Sequence, residues 1–471
     1  MTSPIVRPSE EDPVVASSLG WMGGAIGRRA RIGGTWWSPV RVLVAMAAVA
    51  YVVGYLLDLS CRGNGWAVPE RYEHLCYTDI APLFSGRGFA DGLIPYLQQT
   101  ADGNYLEYPV LTGAFMQVAA VLTSGISGLF ESASRATVFF DVNVVLLFIA
   151  LAVTVVATAL TVRRRPWDAA MVALAPTMIL AATINWDLLP LAFAGVALLL
   201  WSRRHPFAAG ILLGLAVAAK FYPILFLGAF LVLSLRTAKW RAFALLVGGT
   251  ALSWAVVNIP VAIANAEGWG YFYRFSGFRG EDFGSLWFAM TQAGLPSVPA
   301  ERLNLLATGS FIVLCLAIGY IALSAPRRPR LAPLLFLIIA AFVLTNKVYS
   351  PQYSLWLVPL AVMARPRWRD FLIWQVGEVI YFAAIWWFLV GYGIEDTQGL
   401  TGQQYALATV IHFAATIYFA FMVLRDIYSP QHDPIRNDGF ADDEDDPGGG
   451  VYDGAPDRFT LGEARRQNAR S

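Results

Sequence analysis

Residues 138–162 read VFFDVNVVLLFIALAVTVVATALTV, a run in which Asp141 is the one charged side chain. A helix needs roughly 20 apolar residues to cross the hydrocarbon core of a bilayer, because lipid offers no hydrogen-bond partner for a bare peptide group. Comparable apolar runs recur from Val42 almost to the C-terminus. The sequence therefore predicts an all-α, polytopic integral membrane protein with about 12 transmembrane helices.

The composition agrees with a membrane protein and excludes a water-soluble domain. Hydrophobic residues make up 57% of the 471 residues and charged residues 14%, whereas a soluble domain has about 25% charged residues. The mean hydropathy is +0.53. A net charge of +1 carries no information about partners, since membrane proteins express charge through particular loops. We expect membrane lipids as surroundings and no nucleic acid as a partner.

Arginine and lysine are clustered in short loops, and the positive-inside rule places such loops in the cytoplasm. We therefore expect a multi-pass protein of the inner (plasma) membrane with both termini cytoplasmic. The clusters are Arg28 to Arg31, Arg163 to Arg165, Arg203 and Arg204, Arg236 to Arg241, Arg327 to Arg330, and Arg365 to Arg369.

The spans that satisfy this orientation alternate between the two sides of the membrane. They are Val42 to Leu57, Val138 to Val162, Ala169 to Thr183, Leu188 to Trp201, Phe207 to Ala219, Pro223 to Leu235, Ala242 to Ile259, Leu303 to Leu323, Leu331 to Leu344, Tyr353 to Met363, Phe371 to Val390, and Tyr405 to Leu424.

One apolar stretch, residues 110–122, does not fit this alternation, because a crossing there would place Arg163 to Arg165 outside. At roughly 13 residues it is also short for a span. We therefore expect it to be a helix that lies on, or is partly inserted into, the outer face. Prolines at positions 190, 223 and 359 interrupt other spans, which favours helices broken beside a cavity.

The composition divides the chain into three segments. Residues 1–38 are polar and Arg-rich without a cleavable signal peptide, so we expect a disordered cytosolic N-terminus followed by a signal anchor. Residues 39–425 form the transmembrane domain. Residues 426–471 include the acidic run 442–446 followed by proline and glycine, and such a composition predicts a disordered cytosolic tail.

With this topology, informative polar residues gather on the outer side, which predicts a polar site just under the outer surface. Asp79 precedes Ile80, Leu83 and Phe84 at helical spacing. Its carboxylate is a candidate general base toward a hydroxyl group. The alternative role is an N-cap for the short helix that follows, and the two roles are compatible.

Two lysines, Lys220 and Lys347, each lie beside a proline-containing break. An ammonium group there is suited to binding a phosphate as a point charge; the alternative is that each lysine snorkels to the interface. Asp187 opens a helix and is a candidate cap. Arg274 and Arg279 lie among aromatic residues in a loop. This loop is a candidate lid that stacks on a sugar or covers a lipid. The alternative is that the two arginines are ordinary solvated charges.

Cys61 and Cys76 lie fifteen positions apart in a loop that faces an oxidising compartment, which predicts a disulfide that pins the segment presenting Asp79. The four histidines, at positions 74, 205, 412 and 432, have no metal-ligand spacing. We therefore expect no metal site. No nucleotide or dinucleotide fingerprint occurs, so we expect no cofactor.

Several motifs together resemble a known family. They are Tyr77-Thr78-Asp79-Ile80, Glu107-Tyr108-Pro109-Val110, Asn185-Trp186-Asp187, Gly210 to Gly214 leading to Lys220-Phe221-Tyr222-Pro223, and Ser350-Pro351-Gln352-Tyr353 continuing to Pro359. In their order and sidedness they resemble the GT-C membrane glycosyltransferases, specifically family 87, which contains actinobacterial polyprenol-phosphate-mannose-dependent α-mannosyltransferases. The resemblance covers roughly residues 42–424.

This resemblance implies an inverting, extracytoplasmic transfer of a hexose, with mannose expected, from a polyprenyl-phosphate sugar to a lipid-linked glycan or glycolipid of the cell envelope. Asp79 matches the catalytic acidic position, and Lys220 and Lys347 fall in motifs placed to hold the donor phosphate. Further substrate contacts are expected from residues in or near these motifs, namely Tyr108, Asp187, Tyr222, Arg274, Arg279, Gln352 and Tyr353.

Two other classes of function fit a polytopic protein with polar outer loops. A transporter or flippase for lipid-linked saccharides would place polar residues at mid-bilayer and have pseudo-symmetric halves. A structural subunit of an envelope complex would not need Asp79. The polar groups here gather on one side and no repeat is visible, which favours a transferase.

Overall fold

A computed structural model describes residues 12–21, 37–130, 132–392, 399–437 and 445–461, and within these ranges every regular element is a helix, as predicted. In the first half of the chain the α-helices are α1 (Pro13–Trp21), α2 (Pro39–Asn64), α3 (Glu70–Glu73), α4 (Ile80–Gly86), α5 (Val110–Ile126), α6 (Arg135–Thr161), α7 (Ala170–Ala173), α8 (Pro176–Ala181), α9 (Leu188–Ser202) and α10 (Pro206–Ala219).

The second half continues with α11 (Phe226–Thr237), α12 (Trp240–Ala264), α13 (Ala266–Phe278), α14 (Leu286–Gln292), α15 (Ala300–Ser324), α16 (Leu331–Thr345), α17 (Ser354–Ala364), α18 (Trp368–Gly391) and α19 (Gly402–Tyr428). Single 3-10 turns precede α11 and α17, at Tyr222–Leu225 and Pro351–Tyr353. Both turns begin at or beside a proline, which explains why the chain breaks there.

Seven helices among the described residues are long and apolar enough to cross a membrane: α2, α6, α12, α15, α18, α19, and α5 together with its following turn (Val110–Leu129). Six of these correspond to predicted spans. The other six predicted spans are shorter helices or, at 169–183, two short helices in succession, so the predicted count of about twelve is not confirmed.

The helix bundle has two chemically different ends. One end, here called the basic end, carries the described arginine clusters. The loops that carry these clusters contact each other: Arg163 donates to Ser202 O at 3.2 Å, and Arg330 donates to Met363 O at 2.9 Å. The opposite end, here called the site end, carries Asp79. Arg28 to Arg31 lie outside the described residues.

Helix α5 begins and ends at the site end. Before its first turn, Tyr96 donates to Pro109 O at 2.8 Å; beyond its last turn, Arg135 donates to Ala90 O at 3.0 Å and to Ser124 Oγ at 3.2 Å. The helix is longer than the predicted stretch 110–122. The contacts place its two ends on one side of the bundle. This geometry agrees with an interfacial helix.

Close packing of α10 against α12 explains the glycine motif between Gly210 and Gly214. A Cβ on Gly210 would lie 2.2 Å from Leu246 O, and one on Gly214 would lie 2.3 Å from Thr250 O. Small residues let two membrane helices approach until their backbones touch. The motif is therefore a packing device that fixes α10, the helix that ends immediately before Lys220.

Part of the tail at 426–471, for which the sequence predicts disorder, is described by the structure and packs on the helix bundle. Residues 445–461, here called the C-terminal clamp, pack against the basic end, where Tyr452 is 1% exposed and donates to Phe230 O at 2.8 Å. Asp457 pairs with Arg236 and with Arg328, each at 2.7 Å. Arginines buried at helix ends thus give the acidic segment partners that its composition did not reveal.

Within residues 1–38, for which the sequence also predicts disorder, the structure describes helix α1. Asp12, just before this helix, accepts a hydrogen bond from Trp368 N at 3.0 Å. This contact attaches the N-terminal segment to the start of α18 at the basic end. The other residues of 1–36 lie outside the described ranges.

Candidate active site

A cavity of about 490 Å³ opens at the site end, between the first loop, α13, the segment after α16 and the end of α18. A second, more apolar cavity of about 330 Å³ lies beside it. Lys220, Ser276, Arg279 and Tyr353 line both. The two spaces therefore meet at Lys220, and Asp79 faces the larger one.

Asp79 directly precedes α4, but its side chain makes no capping hydrogen bond. Its carboxylate instead accepts from Tyr77 Oη at 2.7 Å on Oδ1 and from Tyr108 Oη at 3.4 Å on Oδ2. Burial raises the pKa of Asp79, and the hydrogen bond from Tyr77 opposes that rise. A carboxylate with a raised pKa that faces a cavity is suited to accept a proton.

The loop that carries Asp79 is fixed at two points. The predicted disulfide between Cys61 and Cys76 is present and ties the loop to the end of α2. Thr78 donates to Thr183 O at 2.7 Å, and Asp79 N donates to Ile184 O at 2.7 Å. The carboxylate is thus held against the segment that leads into α9.

Lys220 ends α10 and lines the junction of the two cavities. Its Nζ lies 3.1 Å from Asp187 Oδ2, and between 5.6 and 5.8 Å from the ring centroids of Tyr108, Tyr353 and Trp356. The ion pair and the surrounding rings hold Lys220 inside the protein, so it does not snorkel. Its side chain remains 18% exposed, toward the cavities.

Asp187 was predicted to contact substrate, but it lines neither of the two cavities among the described residues. It is 1% exposed, and its second oxygen accepts from Trp356 Nε1 at 2.7 Å. It makes no capping hydrogen bond at the start of α9. Its role is to hold Lys220, because both carboxylate oxygens are occupied.

Lys347, predicted to bind the donor phosphate, lines the smaller cavity, and its ammonium group donates to three acceptors. Nζ donates to Arg279 O at 2.5 Å, to Asn304 Oδ1 at 2.7 Å and to Gly277 O at 3.3 Å. These contacts lie at the C-terminal end of α13 and at the start of α15. Burial, together with the nearby charge of Arg279, lowers the pKa of Lys347. The lysine therefore fastens α13 over the site.

The other predicted substrate contacts divide between the two cavities. Tyr108, Arg279, Gln352 and Tyr353 line the larger cavity, and Tyr222 lines the smaller one. Arg279 pairs with Asp282. Arg274 lines neither cavity, because its guanidinium folds back along α13 and donates to Glu267 O at 2.8 Å. Of the predicted cations, Lys220 and Arg279 face the cavity that holds Asp79.

Sequence reasoning missed the contribution of α18 to the site. Trp386 of α18 lines the larger cavity and stacks on Tyr77, with ring centroids 4.4 Å apart. A tryptophan inside an apolar run is indistinguishable, by pattern, from one that faces lipid. The sequence pattern therefore could not show that Trp386 faces the cavity.

A buried polar network behind the cavity was also missed, because the histidines looked scattered. Glu378 of α18 accepts from Tyr349 Oη at 2.7 Å and Trp374 Nε1 at 2.8 Å, and it lies 3.0 Å from His412 Nδ1. Glu378 is 2% exposed. The network fixes Tyr349, whose ring lines the larger cavity.

The sequence matches the model of a known family and is similar to a known protein. The model of the family described as Glycosyltransferase family 87 matches residues 105–346. The chain is similar to GPI mannosyltransferase 1 of Eremothecium gossypii, at 26% identity over 280 residues, which are 56% of this chain and 70% of that protein.

Among solved structures, the chain is similar to the crystal structure of ArnT from Cupriavidus metallidurans bound to undecaprenyl phosphate. The identity is 15% and the TM-score 0.42, over 83% of this chain and 77% of that one. The family match extends over more than half of the chain, including Tyr108, Asp187, Lys220 and the segment up to Asn346. The chain therefore belongs to glycosyltransferase family 87 and is a membrane glycosyltransferase.

Proposed function

We propose that this chain transfers a hexose, mannose in particular, from a polyprenyl-phosphate sugar to a hydroxyl group of a lipid-linked glycan at the extracytoplasmic face. The observation that carries the proposal is that a carboxylate with a raised pKa, Asp79, and a cation, Lys220, face one cavity and are bridged by Tyr108. The name of the relative in Eremothecium gossypii favours mannose as the sugar.

The orientation follows from the charges at the two ends of the bundle. The basic end carries the described arginine clusters, and the positive-inside rule assigns that end to the cytoplasm. The start of α2 and the end of α19 then lie on the cytoplasmic side, and the cavity with Asp79 opens on the opposite side. A location at one end, away from the bilayer midplane, also suits a transferase better than a transporter.

In the proposed reaction, Asp79 accepts the proton of the acceptor hydroxyl as its oxygen attacks the anomeric carbon. The bond between that carbon and the phosphate oxygen breaks, and polyprenyl phosphate leaves with the electron pair. Attack from the side opposite to the phosphate inverts the anomeric configuration. A positioned general base contributes about 10²- to 10⁴-fold to such a step.

Lys220 is placed to stabilise the leaving phosphate. Its ammonium group is a point charge at the junction of the two cavities, and negative charge grows on the phosphate as the bond breaks. Asp187 orients the lysine from behind without entering the cavity. Arg279 lines the same junction and offers a guanidinium as a second donor, although its charge is paired with Asp282.

The smaller cavity suits the first part of the prenyl chain of the donor. Its walls include Phe221, Leu225, Phe342 and Trp356, and Phe221 is 47% exposed at its rim. A lipid donor must place its phosphate at the protein and its tail in the bilayer, so an apolar space beside Lys220 meets both needs. The polar larger cavity is left for the sugar and the acceptor.

The experiment is reconstitution of the purified protein in liposomes with polyprenyl-phosphate mannose and a panel of lipid-linked glycans. Mass spectrometry of the acceptor is expected to detect one added hexose, and NMR of the product an inverted anomeric configuration. Polyprenyl-phosphate glucose is the matched donor control. Transfer from a nucleotide sugar instead of either prenyl donor would contradict the proposal.

A further inference from the structure

Three aromatic side chains form one wall of the larger cavity, here called the aromatic wall: Tyr72, Tyr77 and Trp386. Tyr77 and Trp386 stack with ring centroids 4.4 Å apart, and Tyr72 stacks 5.9 Å from Tyr77 and 6.3 Å from Trp386. Tyr77 also donates to Asp79 Oδ1. The aromatic wall therefore contacts Oδ1 of Asp79, whereas Tyr108 contacts Oδ2.

The two oxygens of Asp79 thus mark two sides of the cavity. Oδ2 accepts from Tyr108, whose ring lies 5.8 Å from the ammonium group of Lys220. Oδ1 accepts from Tyr77 of the aromatic wall. In an inverting displacement the attacking hydroxyl and the leaving phosphate lie on opposite sides of the anomeric carbon. With the phosphate at Lys220, the acceptor must approach from the side of the aromatic wall.

Two side chains that line this cavity each carry a buried polar atom without a partner among the described residues. Trp386 Nε1 is a buried hydrogen-bond donor without an acceptor, and Gln352 Oε1 is a buried acceptor without a donor. Both side chains are more than nine-tenths buried, at 4% and 3% exposure. Buried polar groups in native proteins nearly always have partners, so an unpaired donor and an unpaired acceptor on side chains of this cavity favour a polar ligand here.

We infer that the aromatic wall, with Trp386 as its main contact, binds the terminal sugar ring of the acceptor, and that the enzyme selects a saccharide over a simple lipid alcohol. A sugar offers a C–H face that packs on aromatic rings, and hydroxyl groups that both donate and accept hydrogen bonds. The prenyl chain of a lipid alcohol offers only the apolar contact. This inference rests on the proposed function, because it assumes that Lys220 holds the donor phosphate.

The test compares three variants of the reconstituted enzyme. Trp386→Leu removes the ring, Trp386→Phe keeps a ring but removes the donor, and Trp387→Leu is the matched control. Trp387 is the next residue of α18, is 43% exposed, and does not line either cavity. The readouts are KM for the glycan acceptor, KM for the prenyl donor, and kcat.

We expect Trp386→Leu to raise the acceptor KM about tenfold or more, Trp386→Phe to raise it less, and both to leave the donor KM unchanged. Trp387→Leu should match wild type. An unchanged acceptor KM in both Trp386 variants, or a raised donor KM, would overturn the inference. If Trp386→Leu does not fold, Trp386→Phe and the substrate comparison below decide.

A second measurement uses the wild-type enzyme with a free oligosaccharide and with a prenyl alcohol as competitors. Inhibition that is competitive with the glycan acceptor is expected from the oligosaccharide alone, and inhibition by the alcohol alone would contradict the inference. If wild type transfers sugar but these results fail, only the acceptor assignment is wrong. If wild type transfers nothing from any prenyl donor, the proposed function itself fails.

Discussion

Asp79 and Lys220 contact the same tyrosine: Tyr108 donates to Asp79 Oδ2 at 3.4 Å, and Lys220 Nζ lies 5.8 Å from the centre of its ring. The proposed base and the proposed phosphate ligand are thus separated by one aromatic side chain. Both residues line the larger cavity, so a substrate bound there can meet the carboxylate and the ammonium group together.

Lys220→Met is expected to lower the rate of transfer about 10²- to 10³-fold, because charge on the leaving phosphate loses its stabilising cation. It also leaves Asp187 buried without its partner, which should destabilise the protein by up to about 3 kcal/mol. The double variant Lys220→Met/Asp187→Asn removes that second effect. It should recover most of the stability in thermal unfolding and none of the activity. Recovery of activity in the double variant would show that Lys220 acts on the fold alone.

Lys347→Met should act on α13 and not on the donor. The ammonium group holds the backbone oxygens of Gly277 and Arg279, so its loss frees the C-terminal end of that helix. Hydrogen exchange is expected to increase in residues 273–279, while the donor KM changes less than in Lys220→Met. A raised donor KM with unchanged exchange would return Lys347 to the phosphate role that the sequence suggested.

The pH dependence of transfer should reflect the raised pKa of Asp79. The base acts only when ionised, so activity should rise with pH, and its acid limb should lie above the usual range of an aspartate, about 3.9. Tyr77→Phe removes a hydrogen bond that lowers this pKa, and it should move the acid limb of kcat/KM to higher pH. A shift to lower pH in Tyr77→Phe would contradict the role of Asp79.

Two aspartates near the C-terminus should respond to pH in opposite ways. Asp433 pairs with Arg330 at 2.7 Å, and although burial raises its pKa, the charge and hydrogen bonds of Arg330 outweigh burial and hold that pKa below its usual range. Burial raises the pKa of Asp446 to about 6, against the opposing effect of Arg330. Ionised Asp433 therefore stabilises the fold, and ionised Asp446 costs folding free energy.

Asp433→Asn is accordingly expected to destabilise the protein at pH 7 by about 3 kcal/mol, because it breaks a buried pair. The loss should shrink as pH falls through the pKa of Asp433. Asp446→Asn should cause no loss of folding free energy at pH 7. It should also abolish the part of the pH dependence of stability that lies between about pH 4 and 6. Thermal unfolding of wild type and both variants at pH 3, 5 and 7.5 distinguishes these cases, because the change for Asp433 lies below about pH 4. Equal losses in the two variants at pH 7 would contradict them.

The sequence was a good guide wherever one chemical rule dominated. Apolar length and the placement of arginines predicted the helical membrane fold and the grouping of Asp79, Lys220, Gln352 and Tyr353 on one side of the bundle. The cysteines at 61 and 76 predicted the disulfide, because no other cysteine lies in the same loop. These rules are local or periodic, so they survive without a structure.

Contacts between residues far apart along the chain could not be predicted. For Lys347, nothing nearby in sequence indicates the backbone oxygens of α13 to which it donates. The acidic tail looked disordered because its partners, Arg236 and Arg328, lie more than a hundred residues upstream. Trp386 looked like any tryptophan in a span. Long-range pairing of this kind has no periodic signature.

The most direct measurement is the rate of sugar transfer from polyprenyl-phosphate mannose by Asp79→Asn, compared with Asp102→Asn, an exposed aspartate of the same loop. The isosteric change removes the ionised form, so we expect a loss of about 10²-fold or more with no fall in unfolding temperature, because the fold disfavours ionised Asp79. Asp102→Asn should behave as wild type. Transfer at the wild-type rate by folded Asp79→Asn would contradict the assignment of Asp79 as the base.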